Sequence, residues 1–405
     1  MDIKTIISSI DEIAEKQEEL YKYLHSHPEL SFEETETAKL MAEKLTEFGY
    51  EVQHIGGGVA GILKNGEGPV VLFRADMDAV PIKETTGLPY ASKVEVMVNG
   101  IKAPVMHACG HDMHMATGIG AAWAMANNKD GWSGTYIALF QPAEETGSGS
   151  QAMIDDGLTD KIPKPDIALS QHVLATPKAG SVGICAGPFL STAASMRITV
   201  YGKGAHGSMP HMSVDTLLLA ASIVMRLQGV VAREIDPFDF AVLTVGSLQA
   251  GIAANSIPEE ATLLLNLRAY KDEVREKLVE GIKRIVKGEC EASGSPKEPE
   301  FEIFNKFPPT INDAEETAKV EKAFRNFFGD EKVITYKPMT ASEDFSNIPN
   351  AFGIPYVYWG FGAFEEGQPV LPNHNPGFAP SLKPALATGT QAAILAVMAY
   401  LGKVV

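Results

Sequence analysis

Eight consecutive residues, from His107 to His114, hold an unusual density of side chains that bind metals. This segment, HACGHDMH, contains three of the ten histidines of the chain and one of its three cysteines. Imidazole and thiolate together suit borderline-soft ions such as zinc. Building a hydrophobic core requires no such density of ligands, so the segment predicts a metal site.

Further candidate ligands come where predicted strands end. They are Arg74–Asp78 after a strand at 70–73, Gln141–Glu145 after one at 134–140, His172 after one at 166–170, and His374 beyond the apolar run 356–359. Ligands in open α/β sheets bind outside the carboxyl ends of the strands. The pattern therefore predicts that these side chains converge.

Each of these residues also has a simpler explanation when it is taken alone. A Glu-Glu pair is usually a solvated helix start, and Asp76 and Asp78 fit turn or cap positions. A single histidine such as His172 or His374 is more often a hydrogen-bonded structural residue. The joint pattern, rather than any one motif, favours a site.

Hydrolysis of an unactivated amide gives these residue types distinct roles. A bound divalent metal lowers the pKa of water to about 7, which supplies a nucleophile at neutral pH. One acid must then stay off the metal as the general base while another ligates. Neighbouring side chains in an extended segment point in opposite directions. This predicts that Glu145 binds metal and that Glu144 transfers protons.

The bulk properties narrow the class of protein. A chain of 405 residues favours two domains, and 45% hydrophobic with 21% charged residues is typical of a globular protein. The net charge of −17 argues against binding nucleic acid or anionic lipid. Three scattered cysteines do not form a disulfide framework. No signal-peptide core or apolar run of about 18 residues is apparent, so a cytoplasmic location is predicted.

Hydrophobic periodicity predicts an α/β catalytic domain, with a mixed sheet flanked by helices, that is interrupted by an inserted α+β domain. The first domain would comprise 1–187 and 305–405, and the second 188–304. The principal predicted elements of the first are helices at 2–25, 34–48, 112–127 and 383–401, and strands at 59–63, 70–73, 134–140 and 166–170. Those of the second are strands at 193–201, 240–248, 260–269 and 299–304, and helices at 213–232 and 271–290.

The motifs together resemble one family over nearly the whole chain. They are RADMDAVP (74–81), MHACGHDMH (106–114), QPAEE (141–145), QHV (171–173) and NHN (373–375). The combination closely resembles the aminoacylase-like amidohydrolases, the metallopeptidase branch that includes hippurate hydrolases, auxin-conjugate hydrolases and bacterial N-acyl-amino-acid hydrolases such as N-acyl-glutamine aminoacylases.

The resemblance implies a centre of two divalent metal ions, with zinc favoured over manganese or cobalt. The implied ligands are Cys109, His111, Glu145, His172 and His374. Cys109 would bridge the two ions, Glu144 would be the general base, and Asp78 would orient a ligand histidine. Asp112 is interpreted as a helix cap or a support to the ligands, and His114 as structural.

The resemblance also implies that the inserted domain is a lid through which the chain forms a homodimer. Within it, His206 in the loop 204–208 would help to stabilise the oxyanion, often across the dimer interface, and Asn255 could donate a hydrogen bond there. Arg268 could bind the substrate carboxylate with its guanidinium fork. The alternative for Arg268 is a salt bridge within the domain.

Three hypotheses follow for the activity. The leading one is a metal-dependent amidohydrolase that cleaves N-acyl or N-aroyl amino acids to a carboxylic acid and a free amino acid, using metal-activated water and Glu144. The second makes Cys109 a nucleophile with His111 or His107 as its base. The third is a catalytically silent metal-binding or interaction protein with the same fold.

Overall fold

The computed structural model describes residues 3–98 and 100–403, and the chain divides into two compact units. The first unit comprises Met1–Phe189, Ile311–Lys337 and Asp344–Val405. The second comprises Leu190–Thr310 and Pro338–Glu343. The mixed α/β architecture predicted from the sequence is confirmed.

The helices and strands alternate along most of the chain. The α-helices are α1 Ile3–Ser8, α2 Ala14–Ser26, α3 Thr35–Glu47, α4 His111–Asn127, α5 Gly149–Asp155, α6 Leu158–Lys161, α7 Thr216–Glu234, α8 Asp272–Ala292, α9 Ala314–Phe328, α10 Asn347–Phe352 and α11 Leu382–Leu401. The strands are β1 Glu51–Ile55, β2 Gly58–Asn65, β3 Val70–Asp76, β4 Glu95–Val98, β5 Ile101–Pro104, β6 Gly134–Gln141, β7 Ile167–Leu174, β8 Val182–Ile184, β9 Gly187–Leu190, β10 Thr192–Tyr201, β11 Ala205–His206, β12 Ala241–Ala250, β13 Ser256–Ile257, β14 Glu260–Ala269, β15 Glu300–Phe307, β16 Thr310–Asn312, β17 Val333–Thr335 and β18 Tyr356–Gly362.

An eight-stranded mixed sheet forms the centre of the first unit, in the order β1-β2-β6-β3-β7-β18-β8-β17. The inner strands β6, β3, β7 and β18 run parallel to one another. Every residue of β6 and β18 is buried, as is typical of strands covered by helices on both faces. The parallel direction brings the carboxyl ends of β3, β6 and β7 to one edge of the sheet.

Two helices built from small residues cover this sheet. Helix α4 packs against α2 and α11, and α11 also packs against α9. Alanine, glycine and threonine recur along α4 and α11, and nearly all of α4 is buried. Small side chains let helix backbones approach closely, so α4 can lie within the core with its first residue, His111, at the strand-end edge.

The second unit is an antiparallel sheet, β12-β14-β10-β15, covered by helices α7 and α8. Burial alternates along β14, because one face packs on the helices and the other does not. Strand β12 lies at the edge of the sheet. A separate two-residue ribbon pairs β11 with β13.

The structure differs from the predicted elements at several points. The opening helix is broken by a 3₁₀ turn at Ser9–Glu12, and residues 1–2 lie outside the described residues. Strand β7 extends to Leu174, so His172 lies inside the strand rather than after it. Pro338–Glu343 belongs to the second unit, whereas the prediction assigned all of 305–405 to the first domain. In this segment the Ala341 carbonyl accepts the Ser191 amide of the second unit.

Two helices, α7 and α11, are long and apolar enough to cross a membrane by length and composition. The expectation that no apolar stretch approaches that length is therefore wrong. The apolar window of α11 is 67% buried within the protein and that of α7 is 33% buried. Because a core helix passes the same test, α11 is explained by its place in the first unit.

A buried group of charges ties helix α2 to the first turn of α4. His25 Nδ1 lies 2.6 Å from Asp112 Oδ2, and its Nε2 lies 3.0 Å from Glu84 Oε1. Burial by itself would lower the pKa of His25, but the hydrogen bonds to the two carboxylates outweigh it and raise this pKa to about 10. The charged imidazolium therefore joins three segments that are distant in sequence.

This arrangement predicts a specific loss of stability at alkaline pH. The pKa of His25 is raised on folding, so its stabilising effect is complete below about pH 6.5 and is lost as the pH rises through about 10. We expect the urea midpoint of the wild type to fall over this range more steeply than that of a His25→Asn variant. His27→Asn, which changes an exposed histidine two residues away, is the control and should keep the wild-type slope. Identical slopes in all three proteins would contradict the prediction.

Candidate metal centre

The first turn of α4 presents His111 at the edge of the sheet. Gly110 precedes the helix with φ +92°, and a Cβ there would lie 2.3 Å from Val173 Cγ1. Only glycine allows both this left-handed backbone and this approach to β7. The His111 ring donates through Nδ1 to the Asp78 carbonyl at 2.8 Å, with Asp78 Oδ1 at 3.2 Å. Nε2 of His111 is thus directed toward the candidate ligands.

Potential ligand atoms surround Cys109 in two sets. The first set is Cys109, His111 and His172, and the second is Cys109, Glu145 and His374, with ligand atoms within 4.8 Å of one another in each. Cys109 Sγ lies 3.4 Å from His172 Nε2, and Glu145 Oε1 lies 3.1 Å from His374 Nε2. The structure therefore brings together all five predicted ligands, and both sets share the thiol of Cys109.

Asp78 connects the histidine side of this cluster to the Glu144–Glu145 turn. The backbone amides of Glu144 and Glu145 donate to Asp78 Oδ1 and Oδ2 at 3.1 and 3.0 Å. Ser31 Oγ donates to Oδ2 at 2.6 Å. Burial would raise the pKa of Asp78, but the hydrogen bonds from His111, Ser31 and the Glu145 amide outweigh it and lower this pKa. Asp78 therefore acts as a charged acceptor that orients its neighbours.

The turn that carries the two glutamates is tightly constrained. Ala143 has a left-handed backbone, with φ +48°, and its amide donates to the buried Glu34 carboxylate at 2.7 Å. A Cβ on Gly149 would lie 1.6 Å from the Pro142 carbonyl oxygen. The premise that 144–145 is an extended segment is wrong, because both residues lie in a turn. The two carboxyl groups are separated by the turn and not by strand alternation.

The charges of the cluster are suited to cations. Burial would lower the pKa of His111, but the carboxylates of Asp76, Asp78 and Glu145 outweigh it and raise this pKa to about 10. Two buried atoms, His111 Nε2 and Glu145 Oε1, form no hydrogen bond among the described residues, although Glu145 Oε1 lies 3.1 Å from His374 Nε2. Unpaired buried polar atoms are costly, and a divalent ion would satisfy both. The residues present therefore fit a metal centre.

The surroundings of Cys109 do not favour a free nucleophilic thiolate. Burial, together with the charges of Glu145 and Glu144, raises the pKa of this thiol well above its usual range, whereas reactive cysteines have lowered pKa values. The imidazole within hydrogen-bond distance of its Sγ is that of His172, at 3.4 Å, whereas the nucleophile hypothesis requires His111 or His107. Burial lowers the pKa of His107 to about 4, and neither of its ring nitrogens has a hydrogen-bond partner among the described residues.

Several residues that support the site were not identified from the sequence. Glu34 and Asp344 received no role, although both carboxylates are buried, and Asn373 bridges the Cys109 and Val173 carbonyls. Of these supporting residues, only Asp76 could have been identified from the sequence. It lies two residues from Asp78, and such residues face the same side of an extended chain. Asp112 lies inside α4 and is not its cap, which is Gly110; its Oδ1 accepts the Met113 amide at 2.8 Å and its Oδ2 contacts His25.

The second unit places two of its three predicted substrate residues side by side. His206 pairs with Ser256 across the β11–β13 ribbon, and the Gly207 amide donates to the Asn255 carbonyl at 2.8 Å. The Ser208 amide donates to His206 Nδ1 at 3.2 Å. Ser208 Oγ also lies 2.8 Å from Nδ1, so Nε2 is the ring nitrogen that these contacts leave available.

Arg268 lies on β14 in a different setting. Its guanidinium donates to the Thr340 carbonyl at 2.9 Å, to Ser342 Oγ at 2.8 Å and to Asn266 Oδ1 at 3.1 Å. Burial lowers the pKa of this arginine. Among the described residues, no carboxylate forms a salt bridge with the Arg268 guanidinium. The described structure therefore does not contain the salt bridge that was the alternative explanation of Arg268.

Comparisons with known proteins identify the family of this chain. The family described as peptidase family M20/M25/M40 matches residues 72–399. The chain is 37% identical to a hippurate hydrolase from Campylobacter jejuni, over 84% of this chain and 86% of the relative. It is 33% identical to thermostable carboxypeptidase 2 from Saccharolobus solfataricus, over 93% of each.

A solved structure described as a dinuclear metal binding peptidase of the M20 family, from Bacillus subtilis, superimposes with a TM-score of 0.78. The two chains are 27% identical, and the match covers 96% of this chain and 98% of the other. The family model matches most of this chain, including the segments that carry Asp76, Cys109, Glu145 and His374. The chain therefore belongs to peptidase family M20/M25/M40 and is a metal-dependent amide hydrolase.

Proposed function

We propose that this protein hydrolyses N-acyl or N-aroyl amino acids to a carboxylic acid and a free amino acid. The observation that carries the proposal is the pair of ligand sets sharing Cys109, with the Glu144 carboxylate beside them. The similarity to a hippurate hydrolase supports the choice of an acylated amino acid as substrate. The similarity to a carboxypeptidase is consistent with a substrate that carries a free carboxylate.

The centre would hold two divalent ions. Cys109, His111 and His172 would bind one, and Cys109, Glu145 and His374 the other. A thiolate, imidazoles and a carboxylate suit zinc best and also admit manganese or cobalt. When bound, such ions polarise a carbonyl group and lower the pKa of water at the site. The raised pKa of the Cys109 thiol adds a requirement, because the thiol must lose its proton when it ligates.

Glu144 would be the general base. It is buried, and its Oε2 lies 3.8 Å from His111 Nε2, yet it belongs to neither of the sets that share Cys109. A carboxylate next to the ions but not required as their ligand can take a proton from water. It can then deliver that proton to the leaving amine. Asp78 would keep Glu144 in place through the backbone amide.

The substrate would also be bound by residues of the second unit. Arg268 carries a positive charge with no acidic partner among the described residues, which suits the substrate carboxylate. Nε2 of His206, as an N–H donor, would suit an oxyanion, and Asn255 would add a further donor.

The second unit would also form a homodimer. Strand β12 pairs with β14, and no other strand among the described residues pairs with its second edge. Helix α7 exposes Leu218 at 65% and Met225 at 74%, and Phe238 is 98% exposed. An open edge beside exposed apolar side chains fits a second copy of the same surface, because twofold interfaces are self-complementary.

The role of Glu144 predicts a separation of turnover from metal binding. A Glu144→Gln variant should lose at least about a hundredfold in kcat, because general acid–base catalysis contributes that much or more. Its metal content, measured by mass spectrometry, should remain that of the wild type. The matched variant Glu145→Gln should lose metal. Loss of metal from Glu144→Gln as well would contradict the division of roles.

The metal centre predicts chelator-sensitive activity. The purified protein should contain about two ions per chain, consistent with the two ligand sets, and release amino acid from a panel of N-acetyl and N-benzoyl amino acids. Prolonged chelation should abolish release, and zinc, manganese or cobalt should restore it. Substrates whose carboxylate is converted to an amide should be poor, because Arg268 then lacks its partner. Release that survives chelation would return Cys109 to consideration as a nucleophile, and metal without release from any substrate would favour a silent protein.

The dimer predicts a change in mass on mutation of one surface. Light scattering should show two chains per particle for the wild type. Leu218→Glu combined with Met225→Glu should give one chain, because charges replace the apolar contact. Ile101→Glu in the first unit changes a residue of similar exposure, 72%, and should leave the dimer intact. A monomeric wild type would contradict the proposal.

A further inference from the structure

His114 lies one helical turn after His111 on α4 and belongs to neither set of ligands that shares Cys109. It is buried, and with Asp76 and His111 it forms a further group of side chains that could hold an ion. Both of its ring nitrogens are already used. Nδ1 lies 2.6 Å from Asp76 Oδ1, and Nε2 accepts the Val173 amide proton at 2.8 Å.

These two contacts define the tautomer of His114. The Val173 amide can only donate, so Nε2 carries no proton and its lone pair is occupied. The single ring proton therefore resides on Nδ1 and is donated to Asp76. Both ring nitrogens of His114 are therefore engaged, none is left for an ion, and the ring links Asp76 to the Val173 backbone.

The carboxylate that holds His114 is itself fixed by an arginine. Arg74 Nη1 lies 2.7 Å from Asp76 Oδ2, and Arg74 Nε donates to Gln141 Oε1 at 2.9 Å. Arg74, Asp76 and Gln141 are all buried. Asp76 therefore has one oxygen on a guanidinium and the other on His114, so its charge is compensated without an ion.

The series of contacts that begins at Arg74 and passes through Asp76 and His114 ends at the backbone next to His172. Strand β3 pairs with β7 as far as Ser170, beyond which the Val173 amide bonds to His114. The Val173 carbonyl lies 2.7 Å from His172 Nδ1. This contact places the His172 ring proton on Nδ1 and leaves Nε2, which lies 3.4 Å from Cys109 Sγ, to act as a ligand. The His114 and His172 rings also meet edge to face, with centroids 4.4 Å apart.

We propose that His114 is a positioning residue for one of the two ions. The chain Arg74–Asp76–His114 holds the Val173 peptide, and through it the tautomer and orientation of His172. This inference rests on the proposed function, since it concerns the ion held by Cys109, His111 and His172. The ion held by Cys109, Glu145 and His374 has no ligand on β7 and is not supported by His114.

Three variants separate the two contacts of His114. Gln places an amide group near the position of Nε2, so His114→Gln can still accept from Val173. Asn places its amide group near Nδ1, so His114→Asn can still donate to Asp76 but does not reach Val173. His114→Phe fills similar space and retains neither contact. Tyr50→Phe is the control, because it removes a buried hydrogen bond to α4, at the Ala122 carbonyl, remote in sequence from the ligands.

Zinc is the probe, titrated into the chelator-treated full-length protein against a competing indicator, with unfolding temperatures measured in parallel. His114→Phe and His114→Asn should weaken one of the two zinc ions by about ten- to a hundredfold, as loss of a group that orients a ligand does. The other ion should bind as in the wild type. His114→Gln should recover most of the lost affinity, and Tyr50→Phe should bind both ions normally even if it unfolds at a lower temperature.

The inference is overturned if His114→Phe binds two ions as tightly as the wild type. It is also overturned if the Asn and Gln variants are equally impaired, or if Tyr50→Phe loses an ion to the same extent, because either result means general destabilisation. A wild type that binds no zinc, manganese or cobalt would overturn the proposed function itself. If the wild type and all three variants at position 114 bind two ions equally tightly, the proposed function stands and only the role of His114 is removed.

Discussion

The structure depends on the burial of several carboxylates at one edge of a parallel sheet. Asp76, Asp78 and Glu144 are nearly inaccessible to solvent, and Glu145 is only partly accessible. Buried charges of one sign are unstable unless groups of opposite charge or hydrogen-bond donors compensate them. Arg74 compensates Asp76, and backbone amides with His111 compensate Asp78. The set around Cys109 combines a thiol, imidazoles and a carboxylate, which are the donor types that suit divalent ions.

The same requirement explains the unusual backbone around the site. Four non-glycine residues of the described chain have left-handed backbones, and two of them, Ala143 and His374 with φ of +48° and +67°, belong to the site segments. Such conformations cost of the order of 1 kcal/mol or more and persist where the surroundings fix them. Glu34 and Asp78 bind three consecutive amides, those of residues 143–145, and the His374 amide donates to the Ala108 carbonyl at 2.8 Å. These hydrogen bonds offset the strain and hold the two glutamates beside the histidines.

The two units bury their apolar surface in different ways. In the first, helices cover both faces of the central strands, so the strand ends provide a sheltered edge where charged ligands can be arranged. In the second, helices cover one face of an antiparallel sheet, and apolar side chains of α7 and of the following loop are exposed. The candidate ligands Cys109, His111 and Glu145 therefore lie in the first unit, and the exposed apolar side chains of α7 lie in the second.

The sequence alone determined the order of the elements, the fold class and the set of candidate ligands. Periodicity identifies amphipathic and buried segments, and cysteine with histidine at close spacing is rare without a chemical reason. The sequence alone did not determine that the Glu144–Glu145 segment forms a turn, that β7 extends through His172, or that Pro338–Glu343 belongs to the second unit. Those features arise from contacts between residues far apart in the chain, such as Glu34 with Ala143 and Ser191 with Ala341. The tautomers of His114 and His172 likewise follow from backbone groups of β7, because a proton position depends on which donor or acceptor the fold brings within hydrogen-bond distance.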